Sequence, residues 1–407
     1  MDKNIYNKKK IDNLIISYSD NFGGAAKAAL RINECLKNSN ISSKMLVVKK
    51  ITNFKNITNP IGLLAKLNFK IKNKILLVLK NIIKSDKDRS FNIFNSPILN
   101  EINYLMPKLV NINWIGAETI SIKDISKIKS QILFTLHDMW SFCGSEHYVD
   151  ANKEHSWKNG YKKKNSLLLN LDYYIWKMKV KYWKNFSVIA PSKWIYNLAK
   201  KSYLMRNKKI YYIPYPINTN LYCHEKKKNF YNKKVNLLFS AFGNVDNPRK
   251  GIQLLIRILD KLDPNSFNLN IIGFGADKYL KNKKYNINFY HLIKDEKKLI
   301  KIYNKSDICL ITSLVDNYPL VLMEAQSCGL PCIGFDAGGI KESILNNKTG
   351  FVIKNFNINK YVKKINYLIA NRHIIKKFSI NSRRFAVLRW SYPIIAKKYN
   401  NLFKKII

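Results

Sequence analysis

At 407 residues the chain is too long for one ordinary core and fits two domains, and 46% apolar residues is the content of a globular protein. Seventy-two Lys and Arg against 26 Asp and Glu give a net charge of +46, which favours polyanionic partners: an anionic leaflet, nucleotide diphosphates or nucleic acid. Six scattered cysteines without a Cys-x-x-Cys pair argue against a disulfide framework or a zinc site, and no run of about 18 uncharged apolar residues is present to span a bilayer. The start, MDKNIYNKKK, is polar rather than signal-like, so a reducing cytosol is the expected compartment.

In chain order, residues 14–17 form a first strand and Gly23-Gly24 lead into an Ala-rich helix with Leu30, Ile32 and Leu36 at helical spacing. Strand, glycine pair and helix start together make an anion cradle, because free amides and the helix dipole both favour phosphate. The plainer reading is close strand–helix packing, and the third glycine of a dinucleotide fingerprint is missing. Residues 45–48 form a second strand. The basic, apolar-periodic stretch 61–83 reads either as ordinary surface helices or as a helix lying on anionic membrane.

Residues 109–115 and 132–136 give two more strands with their exits. The second runs straight into His137 and Asp138, at a strand end where side chains can face a crevice. A lone histidine there is also commonly structural. Asp138 is a candidate to orient the His137 imidazole, and Glu146 and His147 either line a pocket or brace a loop. Tyr173, Trp176, Tyr182 and Trp183 form an aromatic helical stripe that reads as core. Prolines at 214 and 216 force an extended exit from the first domain, and the lysine-rich run 225–234 reads as linker.

A new sheet starts at residues 235–241. Arg249 and Lys250 then precede an apolar-periodic helix, 252–262. Two cations at a helix start oppose its dipole unless an anion neutralises them, which argues for phosphate there. His291 follows a strand at 287–290. Residues 308–311 are a short apolar strand suited to a parallel sheet covered on both faces. After it, Asp316 and Glu324 flank the start of a helix opened by Pro319, with Val321, Leu322 and Ala325 placed to face the core. Gly329 closes that helix, 331–335 is the next strand, and Ala337-Gly338-Gly339 form a loop whose amides can approach oxygen atoms closely.

Asp316, seven residues, Glu324, then Ala-x-x-x-Gly-x-Pro and Gly338-Gly339 resemble the signature of family 4 retaining glycosyltransferases. The run from Thr135 to Tyr148, with Trp157–Tyr161 and Ala190–Trp194, resembles one bacterial surface-polysaccharide branch of that family. The family's first motif residue is usually Glu, here Asp316, and His is usual where Asn113 stands. The resemblance implies an α/β protein of GT-B fold: two facing Rossmann-like, doubly wound domains with an interdomain cleft for nucleotide sugar. Residues 1–215 would be the acceptor-side domain, 216–389 the nucleotide-sugar domain, and 390–407 a helix crossing back to the first.

By resemblance, Glu324 holds the ribose hydroxyls, Asp316 contacts the donor sugar, and Arg249 and Lys250 hold the diphosphate. His291 and Leu292 lie at the base. Asn317, Tyr318, Pro319, Leu320 and Val321 line the donor, and Gly23 and Gly24 lie beside its diphosphate or the acceptor. His137 sits near the transferred sugar, and Asp138, Glu146 and His147 fall on the acceptor side. The expected reaction is transfer of a sugar from a UDP- or GDP-sugar to a hydroxyl of a glycan or lipid-linked oligosaccharide, anomeric configuration kept, with no metal and no other cofactor. Expected partners are that donor and acceptor, with an anionic inner membrane face and no nucleic acid. The rivals are a nucleotide-sugar epimerase of the same fold and a non-enzymatic polyanion binder.

Overall fold

The computed structural model describes residues 11–59, 62, 71–72, 74, 88–149, 156–163, 167–224, 230, 233–281, 283–293 and 295–407. Most of the basic stretch 61–83, read above as surface helices or a membrane-lying helix, and most of the lysine-rich run 225–234, read as a linker, lie outside these residues. The chain divides into two compact units. One comprises Met1–Pro191, Ile195–Ile213 and Ala396–Ile407; the other comprises Ser192–Trp194 and Pro214–Ile395.

The first unit carries strands β1 (Asn13–Ser19), β2 (Ser43–Lys49), β3 (Ile57–Thr58), β4 (Leu109–Ile112), β5 (Gln131–Thr135), β6 (Ser187–Ala190) and β7 (Ile210–Tyr212). They form one sheet in the order β3-β2-β1-β4-β5-β6-β7, every pair parallel. Its central strands are apolar runs buried along their length, as a sheet covered on both faces requires. Order reverses between β1 and β4, so a crevice opens outside the carboxyl ends of those two strands. The Gly23-Gly24 loop follows β1, Asn113 follows β4 and His137 lies two residues beyond β5.

The second unit repeats the plan with β8 (Val235–Asn244), β9 (Phe267–Phe274), β10 (Asn286–Tyr290), β11 (Ile308–Ile311), β12 (Cys332–Phe335) and β13 (Gly350–Ile353). Their order is β10-β9-β8-β11-β12-β13, again all parallel. Here the reversal falls between β8 and β11. The two loops that leave those strands carry Arg249 and Lys250 on one side and Asp316 to Pro319 on the other. Both units are therefore doubly wound α/β folds. β3, β6, β7 and β13 were not expected as strands.

Candidate functional site

In the second unit the cations do not sit on the first turn of the long helix. Pro248–Lys250 form a separate 3-10 turn, capped by the Asn247 side chain on the Arg249 amide, and Gly251 in the left-handed region (φ 69°) links it to the helix Ile252–Leu259. A Cβ on Gly251 would lie 2.0 Å from the Thr312 carbonyl oxygen, so only glycine lets this turn press against the end of β11. Leu314 N donates to the Arg249 carbonyl at 2.8 Å, and Thr312 Oγ1 donates to that of Lys250 at 3.1 Å. This docking aims Lys250 at Asp316, Nζ to Oδ2 2.8 Å. The chain itself thus supplies an anion to Lys250. What remains is a positive turn at the switch point of the sheet, next to a carboxylate.

Asp316 is fixed from behind. Gly339 N donates to its carbonyl at 2.9 Å, and a Cβ on Gly338 would sit 2.2 Å from that same oxygen. The Gly338-Gly339 pair therefore serves backbone-on-backbone packing, where the sequence suggested amides offered to a ligand. Asn317 is buried, its Oδ1 accepting from Ser192 Oγ at 2.6 Å. Tyr318 is buried too: its hydroxyl accepts from Trp390 Nε1 at 2.7 Å, and its ring packs edge-on against Tyr215 and Trp390. The side chains of Asn317 and Tyr318 thus hold the loop.

Pro319 caps the helix Leu320–Ser327, which has no side-chain N-cap, so its first amides and dipole are open to an anion. Leu320 and Val321 are half-buried there; Val321 does not enter the core as its spacing suggested, whereas Leu322 and Ala325 do. Glu324 is 3% exposed and accepts from the Tyr303 hydroxyl at 2.7 Å. Burial and the Glu324 charge together push the Tyr303 phenol far up, so it remains a donor. This is not the solvated helix-start charge that an isolated Glu would be. Tyr303 is the partner that sequence reasoning missed, and nothing in the spacing of its helix, Glu296–Lys305, marks it out.

At the ends of β9 and β10, Phe274 and His291 stack at 6.0 Å with ring planes 24° apart, both exposed. Leu292 is half-buried beside them in sequence. Such a flat pair can hold another ring by stacking.

The first unit is built differently. Gly23 (φ 92°) starts the helix Gly24–Lys37, and added Cβ atoms at Gly23 and Gly24 would meet nothing within 4 Å. The packing explanation for this glycine pair therefore fails. Asp20, just upstream, anchors the loop by accepting from the amides of Ile51 and Thr52, each at 2.8 Å.

His137 is buried, and desolvation lowers its pKa to about 4, so it is neutral near pH 7. Asn113 donates its amide to the Asn111 carbonyl (3.1 Å), which leaves Asn113 Oδ1 facing His137 Nε2 at 2.9 Å. Nε2 therefore carries the proton in this pair. Asp138 does not orient His137, as the sequence suggested. Its Oδ2 faces His147 Nδ1 at 2.6 Å and accepts from Trp114 Nε1 at 3.1 Å, while its Oδ1 accepts from Trp140 N at 2.9 Å. Burial pushes the Asp138 carboxyl up, but His147 and the amide outweigh it and keep it ionised.

His147 in turn places Nε2 2.8 Å from Ser90 Oγ, so Ser90, His147 and Asp138 stand in the order of a hydrolase triad. A Cβ on Gly116 would lie 2.7 Å from Ser90 Oγ, and His147 is stacked on Trp114 and faces Trp140. No room for a substrate exists at that hydroxyl, and the three read as a buried brace. Glu146 is likewise a brace, accepting from Tyr161 OH at 3.1 Å, its carboxyl raised by burial and by Asp172.

Lys179, on the helix Leu167–Tyr182, was not singled out by sequence at all. Fully buried, its Nζ donates to the carbonyls of Trp140 (2.5 Å), Cys143 (3.1 Å) and Gly144 (2.7 Å) and lies 3.8 Å from the Trp140 ring centroid. Burial pulls it down to about 7, against three acceptors that call for all three N–H groups of the ammonium.

A run of two carboxylates one residue apart suits a divalent ion bridging phosphates. The chain has one that the sequence reading passes over, Asp86-Lys87-Asp88. Asp86 lies outside the described residues, and the Asp88 carbonyl accepts from His147 N at 3.2 Å. Among the described residues no cluster of three or more His, Cys, Asp or Glu is placed to hold a metal.

Residues 224–385 match the family model for glycosyl transferases group 1. An uncharacterised 41.2 kDa protein in the cps region of Klebsiella pneumoniae is 27% identical over 52% of this chain and 61% of its own length. The amylovoran biosynthesis glycosyltransferase AmsD of Erwinia amylovora is 26% identical over 38% of this chain and 43% of its own. The chain thus spans roughly half the length of the curated relatives it matches. Among solved structures, Anabaena HepE in complex with UDP-glucose superposes with a TM-score of 0.66 at 16% identity, covering 97% of this chain and 99% of that one. That likeness gives the fold, GT-B.

Proposed function

The chain belongs to the glycosyl transferases of group 1 through its second unit, and from that premise we propose that it moves a sugar from a nucleotide diphosphate sugar to a hydroxyl during surface-polysaccharide synthesis. The observation that carries the reading is the Arg249–Lys250 turn, docked by Gly251 at the switch point of its sheet with Lys250 on Asp316 and Glu324 one helical turn into the next element. A nucleotide diphosphate fits this arrangement. Its phosphates take the two cations and the open helix start at Leu320, and a ribose diol takes the Glu324 carboxylate. The Phe274–His291 stack suits the base, and UDP is the favoured donor nucleotide because HepE was solved with UDP-glucose.

When the glycosidic bond breaks, negative charge grows on the β-phosphate. Arg249, Lys250 and the Leu320 and Val321 amides stabilise it, an electrostatic form of catalysis. The departing phosphate oxygen takes the acceptor proton, and the anomeric configuration is kept. His137, neutral near pH 7, is assigned to the transferred sugar. Side-chain cations carry the diphosphate charge, so the proposed reaction needs no divalent ion. The proposed acceptor is a glycan or lipid-linked oligosaccharide, reached from the inner face of an anionic membrane.

The test is to incubate the protein with UDP- and GDP-sugars and measure nucleotide diphosphate release, with and without membrane extract and with and without EDTA. Release that requires the extract and survives EDTA is expected. A changed donor sugar without any acceptor would instead mean an epimerase. Lys250→Ala should lower kcat by about a hundredfold, the usual cost of one transition-state donor. Unchanged kcat in that variant would remove the electrostatic role. The anomeric coupling constant of the product, read by NMR, checks retention.

A further inference from the structure

The carboxyl-terminal part of the chain has an unusual composition: residues 343–407 hold fifteen Lys and Arg and no Asp or Glu. Within it, the helix Arg372–Trp390 has one buried side, with Ile375, Phe378, Ser382, Ala386 and Trp390 turned to the core. The opposite side presents His373, Lys376, Lys377, Ile380, Arg384 and Leu388, spaced three or four residues apart and therefore aligned along one face. Ile380 is 61% exposed and Leu388 is 63% exposed. Not every cation of this helix is on display. Arg383 turns inward to the carbonyls of Tyr222 (2.8 Å) and Ser327 (2.9 Å), and Arg389 approaches the Tyr318 hydroxyl. Lys376, Lys377 and Arg384 form no ion pair among the described residues.

We infer that this face of the helix Arg372–Trp390 docks on an anionic lipid bilayer. Cations with long apolar stems around two bulky aliphatic side chains are what a helix lying in the headgroup region presents: stems and aliphatics enter, charges stay at the phosphates. A second copy of the same face would set cation against cation. A nucleic-acid backbone would satisfy the charges but leave Ile380 and Leu388 without a partner. The inference deepens the peripheral-membrane part of the reading above, and rests on it, by naming the surface that makes contact.

The experiment is co-sedimentation of the full chain, without donor or acceptor, with phosphatidylcholine vesicles with and without phosphatidylglycerol. Binding to the anionic vesicles alone is expected. Reversing the face charges (K376E/K377E/R384E) should weaken it by about a hundredfold, and Ile380→Ser with Leu388→Ser by about tenfold. A control triple at exposed lysines elsewhere, K44E/K123E/K129E, should leave it nearly intact, with circular-dichroism melts confirming that all variants fold. Equal losses in the two charge triples would reduce the effect to bulk charge and overturn the proposal. So would a serine pair that binds like the parent, or tighter binding of the face to single-stranded nucleic acid than to vesicles. If substitution of the lysines between 66 and 84 abolishes vesicle binding while the face variants keep it, the membrane reading survives and this face falls. If no vesicle is bound at all, both fall, while the nucleotide-release assay stands apart.

Discussion

The two units share a doubly wound plan but treat their polar residues in opposite ways. In the first, His137, Asp138, Glu146, His147 and Lys179 are buried and bonded to neighbouring side chains or to backbone within the unit. In the second, Arg249, Lys250 and His291 stay partly exposed at strand ends, with Lys250 paired to Asp316. A prefolded brace fixes geometry and costs stability when broken. A partly exposed charge cluster at a strand end is accessible to a ligand, and on the proposed function it costs affinity when broken. The same residue types therefore predict different readouts in the two units.

The contrast is broken most severely at Lys179. Lys179→Met keeps the length but strips three buried carbonyls of their donor, and should cost about 4 kcal/mol of stability in chemical denaturation. A loss below about 1 kcal/mol would mean the brace is dispensable. Next comes acid sensitivity. His137 is lowered from its usual 6.5 to about 4, so the unfolded chain binds a proton first and this histidine's contribution is lost as pH falls from 6.5 toward 4. It amounts to on the order of 3 kcal/mol, and a His137→Gln variant should lack that part of the pH dependence. Glu324→Ala should weaken nucleotide binding by about 2 kcal/mol in calorimetric titration, a loss of affinity that a residue serving only as a brace for Tyr303 would not produce. At the small end, Gly23→Ala strains a φ of 92° and should cost about 1 kcal/mol. Gly24→Ala should leave the melt unchanged while lowering turnover; an unchanged rate would deprive that glycine of a role in the site.

Most of the parallel core was legible because its strands are uninterrupted apolar runs, as at Ile308–Ile311, and because glycine and proline punctuate them. The two-residue strand β3 is too short to show a pattern, and only its neighbour in the sheet defines it. Residue types and order point to Arg249, Lys250, Asp316 and Glu324, which the structure places beyond the ends of β8 and β11. Which charge answers which did not follow from order, since Lys250 meets Asp316 across 66 residues. The same limit explains Asp138, whose imidazole partner is nine residues away rather than adjacent. Lys179 and Tyr303 were missed because a lysine or tyrosine on a helix carries no mark of burial until its neighbours are in place. Tyr318 shows the converse: a residue inside a motif can serve the motif by holding it still.

The Gly338-Gly339 loop leaves no slack behind Asp316: one hydrogen on each Cα is all the space the neighbouring carbonyls allow. A single methyl at position 338, more than twenty residues along the chain, would have to be absorbed by the segment that carries the carboxylate and, through it, by the lysine that leans on it. The charge pattern of this turn is thus tuned by two residues that own no side chain. A mutational survey that skipped glycines as inert would miss the positions to which that pattern is most sensitive.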